Sequence, residues 1–295
     1  MSDQCYISVI VPVYNSKKFI KKSIESVINQ NFSKNFEIIA IDDASTDDSL
    51  KIIKSINNPK VKIFSLPQNS GPAAARNLGI KKAIGDYVFF LDADDTIHIE
   101  TLKSFYQIAV ENKYDYIFCD HEWIQNGENQ RKSFFSYNEN REISKENLIK
   151  EMKQRVHNPV HMGGPLSSKG KLIKRSLIIN NKIFFEEKLR YLEDEIFMWD
   201  ILGNVRAVKY LKKQYYTYNV NPNISSAVSR GINNEFSVEK FKIIREHIKN
   251  SFKLLGVKDF ELKKLGDQAL IYFIINVLIS YSKSIIQKKV EIKNV

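Results

Sequence analysis

Over the first 120 residues, short apolar runs alternate with segments whose apolar residues return every three or four positions. Ile7–Tyr14, Phe36–Asp42, Val61–Ser65, Tyr87–Leu91 and Tyr114–Cys119 are of the first kind, and read as strands. Between them, Phe19–Asn29 carries Phe19, Ile20, Ile24, Val27 and Ile28 on one helical stripe, and Asp48–Asn57 sets Leu50, Ile53 and Ile56 inward. Gly71–Ile84 and a segment near Thr101–Asn112 read as the other helices, Gly85 closing the former. Strands separated by single helices predict βαβ units, an α/β fold and a mostly parallel sheet.

From about Asp120 the rhythm changes. Gly127–Arg141 is polar and loop-like, Lys145–Arg155 helical, and His157–Lys171 a loop with Gly, Pro and Ser. Lys182–Phe185, Ala207–Leu211 and Tyr215–Val220 read as strands around a helix at Glu193–Leu202. After about Asn234 the pattern is almost wholly helical, over Val238–Leu255 and Asp267–Ser284. Three regions follow: 1–120, 121–233 and a helical extension at 234–295.

The 295 residues suffice for a full core. With 45 basic and 34 acidic side chains the net charge is +11, which favours anionic partners. No nucleic-acid module accompanies that charge, so nucleic acid is not expected. Cys5 and Cys119 lack a metal-type spacing and suggest a reducing compartment. Met1–Gln4 has no basic region typical of a signal peptide, and Ala269–Ile279 is shorter than the roughly 20 residues of a membrane span, so a cytoplasmic protein is expected. The apolar positions Ala269, Leu270, Phe273, Ile274, Val277 and Leu278 suit packing on the catalytic part or on a second copy. With Lys283, Lys288 and Lys289 beside them they also suit a membrane surface.

In open α/β sheets ligands bind at the carboxyl ends of the strands. Here those ends carry Pro12-Val13-Tyr14-Asn15, Asp42-Asp43-Ala44-Ser45-Thr46-Asp47 and Asp92-Ala93-Asp94-Asp95. Three carboxylates packed after a buried strand repel unless a cation or donor relieves them. Mn2+ or Mg2+ takes such carboxylates together with water and phosphate oxygens, which points to a nucleotide diphosphate. An Asp-rich turn capping the next helix would look the same in isolation; the second acidic cluster one strand away favours metal. Neither a Gly-x-Gly-x-x-Gly after the first strand nor a P-loop occurs, so dinucleotide oxidoreductases and P-loop NTPases are disfavoured.

Val11-Pro12-Val13-Tyr14-Asn15, Ile41 to Asp47, Asn69-Ser70-Gly71-Pro72-Ala73-Ala74-Ala75-Arg76-Asn77 and Leu91 to Asp95 resemble, in order and spacing, the successive blocks of family 2 glycosyltransferases with the GT-A fold. The resemblance continues loosely through Lys171–Leu177 and Tyr191–Glu195. It implies that residues 1–120 bind a nucleotide sugar and that 121–233 hold the acceptor and a catalytic base. Pro12 and Tyr14 would line the base pocket, Tyr14 stacking. Asp43 would accept from a uracil imide, while Asp42 supports the loop or reaches the ribose. Arg76 would lie near the base or diphosphate; without the resemblance it is equally a solvated helix charge. Asp92, Ala93, Asp94 and Asp95 would meet the donor, Asp94 as the principal metal ligand with Asp92 and Asp95 beside it.

The resemblance also implies that Asp194 is the general base, and it puts His161, Lys171 and Glu193 on the acceptor side. A nucleotide diphosphate leaves readily with metal help, so one base suffices and displacement inverts the anomeric centre. The implied partners are a UDP-sugar and a glycan or lipid-linked glycan of a bacterial surface polymer. A Gln-x-x-Arg-Trp block is absent, which speaks against a processive synthase. A nucleotidyltransferase would share the acidic clusters but begin with a Gly-rich loop; a non-catalytic binding protein would leave those clusters unexplained.

Overall fold

The computed structural model describes residues 4–125, 128–132, 139–157, 167–190, 192–220, 237–268 and 271. Strands β1 (Ile7–Val13), β2 (Phe36–Asp42), β3 (Val61–Ser65) and β4 (Tyr87–Phe90) are mutually parallel, in the order β3-β2-β1-β4. β2 and β4 are buried throughout and β1 at six of its seven positions, as expected of strands covered on both faces. Successive side chains divide between two cores by the two-residue strand period. Ile10, Ile39, Ile41 and Phe90 enter one; Val9, Val11, Ile38, Ala40 and Phe89 enter the other.

Helices α1 (Ile20–Ile28), α2 (Ser49–Ser55), α3 (Pro72–Lys82) and α4 (Thr101–Glu111) make the crossovers. α3 lies close on the sheet because Ala73, Ala74, Ala75 and Gly79 are small; a methyl on Gly79 would stand 2.4 Å from Ile10. β5 (Thr96–Ile97) follows the acidic turn, and β6 (Tyr116–Gln125) is long. β7 (Glu128–Lys132), β8 (Arg141–Ile143), α5 (Lys145–His157), β9 (Lys171–Lys174), α6 (Arg175–Asn180), α7 (Glu193–Asn204), β10 (Val208–Val220) and α8 (Val238–Leu254) complete the described elements.

One ten-stranded sheet runs β3-β2-β1-β4-β9-β6-β10-β5, with β7 on β6 and β8 on β10. β9 is antiparallel to both β4 and β6, and β10 is parallel to β6. The carboxyl ends of β1, β2, β4, β6 and β10 therefore share one edge, and the amino end of β9 arrives at that same edge. Register shifts in β10 between Leu211 and Tyr216 re-aim its last residues there. α8 packs on α7 through Trp199 and Phe252, ring centroids 5.4 Å apart, and through His247, 2.8 Å from Asp200. Burying such side chains contributes about 1.5–3 kcal/mol each.

Several expectations are corrected. The polar stretch after Gly127 contains β7, which forms a hairpin with β6 at the sheet periphery, where polar residues fit a solvated strand. Lys182–Phe185 is not a strand: Asn77 takes the place of a neighbouring strand, bonding both the N–H and the C=O of Phe185 at 2.8 and 2.9 Å. Gly85 does not close α3, which ends at Lys82 with Ala83 as its cap; Gly85 is needed because a methyl there would stand 2.6 Å from the Ser8 backbone. Ala207–Leu211 and Tyr215–Val220 join as the single strand β10. His157 ends α5 rather than opening a loop. Cys5 and Cys119 are both buried free thiols. No helix among the described residues is long and apolar enough to cross a membrane. His161 and most of Asp267–Ser284 lie outside the described residues.

Candidate active site

The loops after β1 and β2 are tied together. Asn15 and Ala44 both adopt left-handed backbone, φ 49° and 54°. The Asn15 side-chain oxygen accepts from the N–H groups of Thr46 and Asp47, and the Asn15 backbone N–H donates to Ser45 Oγ. Pro12 and Tyr14 are half-buried at the rim of this edge. Asp43 is 3% exposed and accepts from Ser70 N–H at 2.7 Å, Gly71 N–H at 2.9 Å and Asn69 Nδ2 at 3.0 Å. This clamp draws the Asn69–Gly71 loop over β2, and Gly71, at φ 92°, gives the turn into α3 that an L side chain resists. Burial is the leading influence on Asp43 and raises its pKa, although the loop N–H groups oppose it. Asp42 supports its loop through Ser45 N–H at 3.3 Å; its buried Oδ1 has no hydrogen-bond partner among the described residues.

The turn after β4 brings oxygens of Asp92, Asp94 and Asp95 within 4.8 Å of one another. The three have distinct situations. Asp95 is fully buried and accepts from Tyr216 Oη at 2.6 Å and Asn219 N–H at 2.9 Å, which moors the turn to β10; burial pushes its pKa well up. Asp92 accepts from Arg76 Nη2 and Lys169 Nζ, each at 3.0 Å. Burial disfavours its charge, but those two cations prevail and hold its pKa well below the usual carboxylate range. Asp94 is half-buried without a salt bridge among the described residues, and its pKa is raised by burial and by Asp92. This all-oxygen set fits Mg2+ or Mn2+ completed by water and phosphate, with Asp94 the carboxylate most available to it.

Arg76 connects this turn to the start of α7. Its Nη1 donates to Glu193 Oε1 at 2.9 Å, its guanidinium lies 5.3 Å from the Phe185 ring centroid, and the residue is 6% exposed. It is therefore a buried bridge and not a solvated helix charge. α7 starts from Leu192, a buried leucine held at φ 65°, a conformation that costs energy and recurs at functional sites. Burial, then Asp194, push Glu193 up to about 7 against Arg76. Asp194 is half-buried and its Oδ1 accepts from Glu195 N–H at 2.9 Å; burial raises its pKa, with Arg76 and Lys169 opposing.

The structure thus gathers Arg76, Asp92, Asp94, Asp95, Glu193 and Asp194 around one spot on the shared edge. Of the residues expected on the acceptor side, one is placed elsewhere. Lys171 is fully buried inside β9, its ammonium 5.9 Å from the Phe118 ring centroid, because β9 is sandwiched between two strands. Glu193, also expected on the acceptor side, lies at the gathered site, buried against Arg76. Lys169, Tyr216 and Asn219 were not expected here. Their only sequence signal is position: Lys169 precedes an unrecognised strand, and Tyr216 and Asn219 end a strand that reaches the shared edge.

Residues 8–177 match the family model Glycosyl transferase family 2. The chain is 30% identical over 283 residues to the poly(ribitol-phosphate) beta-N-acetylglucosaminyltransferase TarS of Staphylococcus aureus (strain MW2), covering 88% of this chain and 47% of that protein. It is 31% identical over 251 residues to TarP, a protein of the same description from S. aureus (strain N315), covering 84% and 72%. The crystal structure of S. aureus TarS 1–349 in complex with UDP-GlcNAc superposes with a TM-score of 0.72 at 26% identity, covering 90% of this chain and 72% of that one. The chain spans about half or less of the length of the first curated relatives it matches. The family match covers more than half of the chain and includes the loops and the acidic turn just described. The chain belongs to glycosyl transferase family 2.

Proposed function

We propose that the chain transfers a sugar from a UDP-sugar to a hydroxyl of an anionic surface glycopolymer, inverting the anomeric centre to give a β-linkage. The observation that carries this reading is the Arg76 bridge, which ties Glu193, the residue before Asp194, to Asp92 of the acidic turn where donor phosphates would lie. The acceptor hydroxyl oxygen attacks the anomeric carbon while the bond to the β-phosphate oxygen breaks. Its electron pair leaves with the nucleotide diphosphate, and Asp194 takes the hydroxyl proton. The raised pKa of Asp194 suits that task better than an exposed aspartate would.

Residues 1–120 hold the donor in this reading, and 121–233 the acceptor and base. Tyr14 and Pro12 line the base, Asp43 and Asp42 supply acceptors for the uracil and ribose, and Asp94 with Asp92 would hold Mn2+ or Mg2+. Bound there, the ion would offset the charge developing on the diphosphate. TarS and TarP are described as acting on poly(ribitol-phosphate), and the net charge of +11 suits such a polyanion. The protein would work on the cytoplasmic side of the membrane, where a lipid-linked polymer is within reach.

The test is a donor screen with Mn2+ and a poly(ribitol-phosphate) acceptor, reading nucleotide release from UDP- and GDP-sugars. Acceptor-dependent UDP release is expected. Pyrophosphate release from UTP and a sugar phosphate would replace this reading with a nucleotidyltransferase, and no turnover of any donor would remove it.

A further inference from the structure

Among the described residues, Arg76 and Lys169 face the acidic turn, and Lys169 is the more accessible of the two. Arg76 donates through Nη1 to Glu193 and through Nη2 to Asp92, and its side chain is 8% exposed. Lys169 makes one hydrogen bond among the described residues, to Asp92 Oδ2, and its side chain is 23% exposed. An ammonium has three donors, so two remain. The backbone beneath it is fixed: Gly170 N–H donates to Phe90 C=O at 3.2 Å, and Gly170, at φ 68°, sits where a methyl would stand 2.8 Å from His121 Nε2. The Lys169 ammonium also lies 4.3 Å from the Tyr218 ring centroid, so its position is defined on two sides.

We propose that Lys169 binds the diphosphate of the donor and carries the charge that develops on it as the sugar departs. This rests on the donor reading given above. When the electron pair of the broken C–O bond passes to the β-phosphate oxygen, the nucleotide gains one negative charge. Both terminal nitrogens of Arg76 already face carboxylates, and its side chain is only 8% exposed, so little of it can reach the diphosphate. Lys169 has donors to spare, is partly accessible, and stands beside the carboxylates that would hold the metal ion. Fixed donors aimed at developing charge in a partly desolvated site act strongly, because they need no reorganisation.

The test is calorimetric binding of UDP and UMP, with Mn2+ present, to the wild-type chain, Lys169→Met and Lys169→Arg. Lys169→Met should lose about ten- to a hundredfold in UDP affinity, the range of a charged hydrogen bond, and change little for UMP. Lys169→Arg should recover most of the loss. Unchanged UDP binding by Lys169→Met, or equal weakening for UDP and UMP, overturns the proposal while leaving the donor reading intact. A wild-type chain that binds no nucleoside diphosphate overturns both.

Discussion

Replacing Arg76 by Met tests how the donor turn and the base helix are joined. The guanidinium is 8% exposed and holds Asp92 at 3.0 Å and Glu193 at 2.9 Å. Removing one partner of a buried pair costs about 3–5 kcal/mol, because the remaining charge is stranded. Glu193 can escape part of that cost by taking up a proton, since its pKa already stands at about 7 against an ordinary 4.5. A carboxyl raised on folding supports the fold fully below its unfolded pKa, and that support is lost as pH rises through the folded value. The Arg76→Met penalty should therefore be largest near pH 8 and about 1–2 kcal/mol smaller near pH 5.5. At roughly 2–4 °C per kcal/mol, Tm should fall by roughly 6–20 °C at pH 8. Thermal unfolding at both pH values reads this, and Arg76→Met combined with Glu193→Gln should recover part of the loss. A Tm within about 2 °C of wild type at both pH values, or a larger loss in acid, would refute the reasoning.

Asp94→Asn should lower Mn2+-dependent UDP affinity on the order of tenfold or more while leaving Tm nearly unchanged, as calorimetry and thermal unfolding can check. His247 accepts its proton more readily in the fold, chiefly through Asp200 and with Glu186 adding to it. Its contribution to stability is complete below about pH 6.5 and is lost as pH rises through the raised folded pKa. His247→Gln should flatten the fall in Tm between pH 6 and pH 8, measured by thermal unfolding across that range.

The parallel half was legible because β1, β2 and β4 are covered on both faces, so their apolar runs are nearly unbroken. The site was legible where chemistry sits directly on those strand ends, as at Asp43, Asp92 and Asp94. What failed depends on long-range partners. β9 is Lys171-Leu172-Ile173-Lys174, four residues bounded by lysines, and only its place between β4 and β6 makes it a strand. Missing β9 hid the direction of the chain there, and so hid Lys169 and misplaced Lys171. Lys182–Phe185 looked like a strand because its apolar residues are buried, but Asn77, more than a hundred residues earlier, supplies the hydrogen bonds. The roles of Asp95 and Glu193 likewise depend on Tyr216 and Arg76, distant contacts that no local pattern encodes.

The central claim is that Asp194 takes the proton from the attacking hydroxyl beside a donor site built by the acidic turn. Asp194→Asn keeps the shape of the side chain and removes its basicity. A general base typically contributes about 10²–10⁴-fold, so kcat for sugar transfer should fall by that order while UDP affinity changes little. The measurement is kcat and UDP binding on the same purified variant. The account predicts that loss with donor binding retained; transfer at the wild-type rate, or an equal loss of UDP binding, would contradict it.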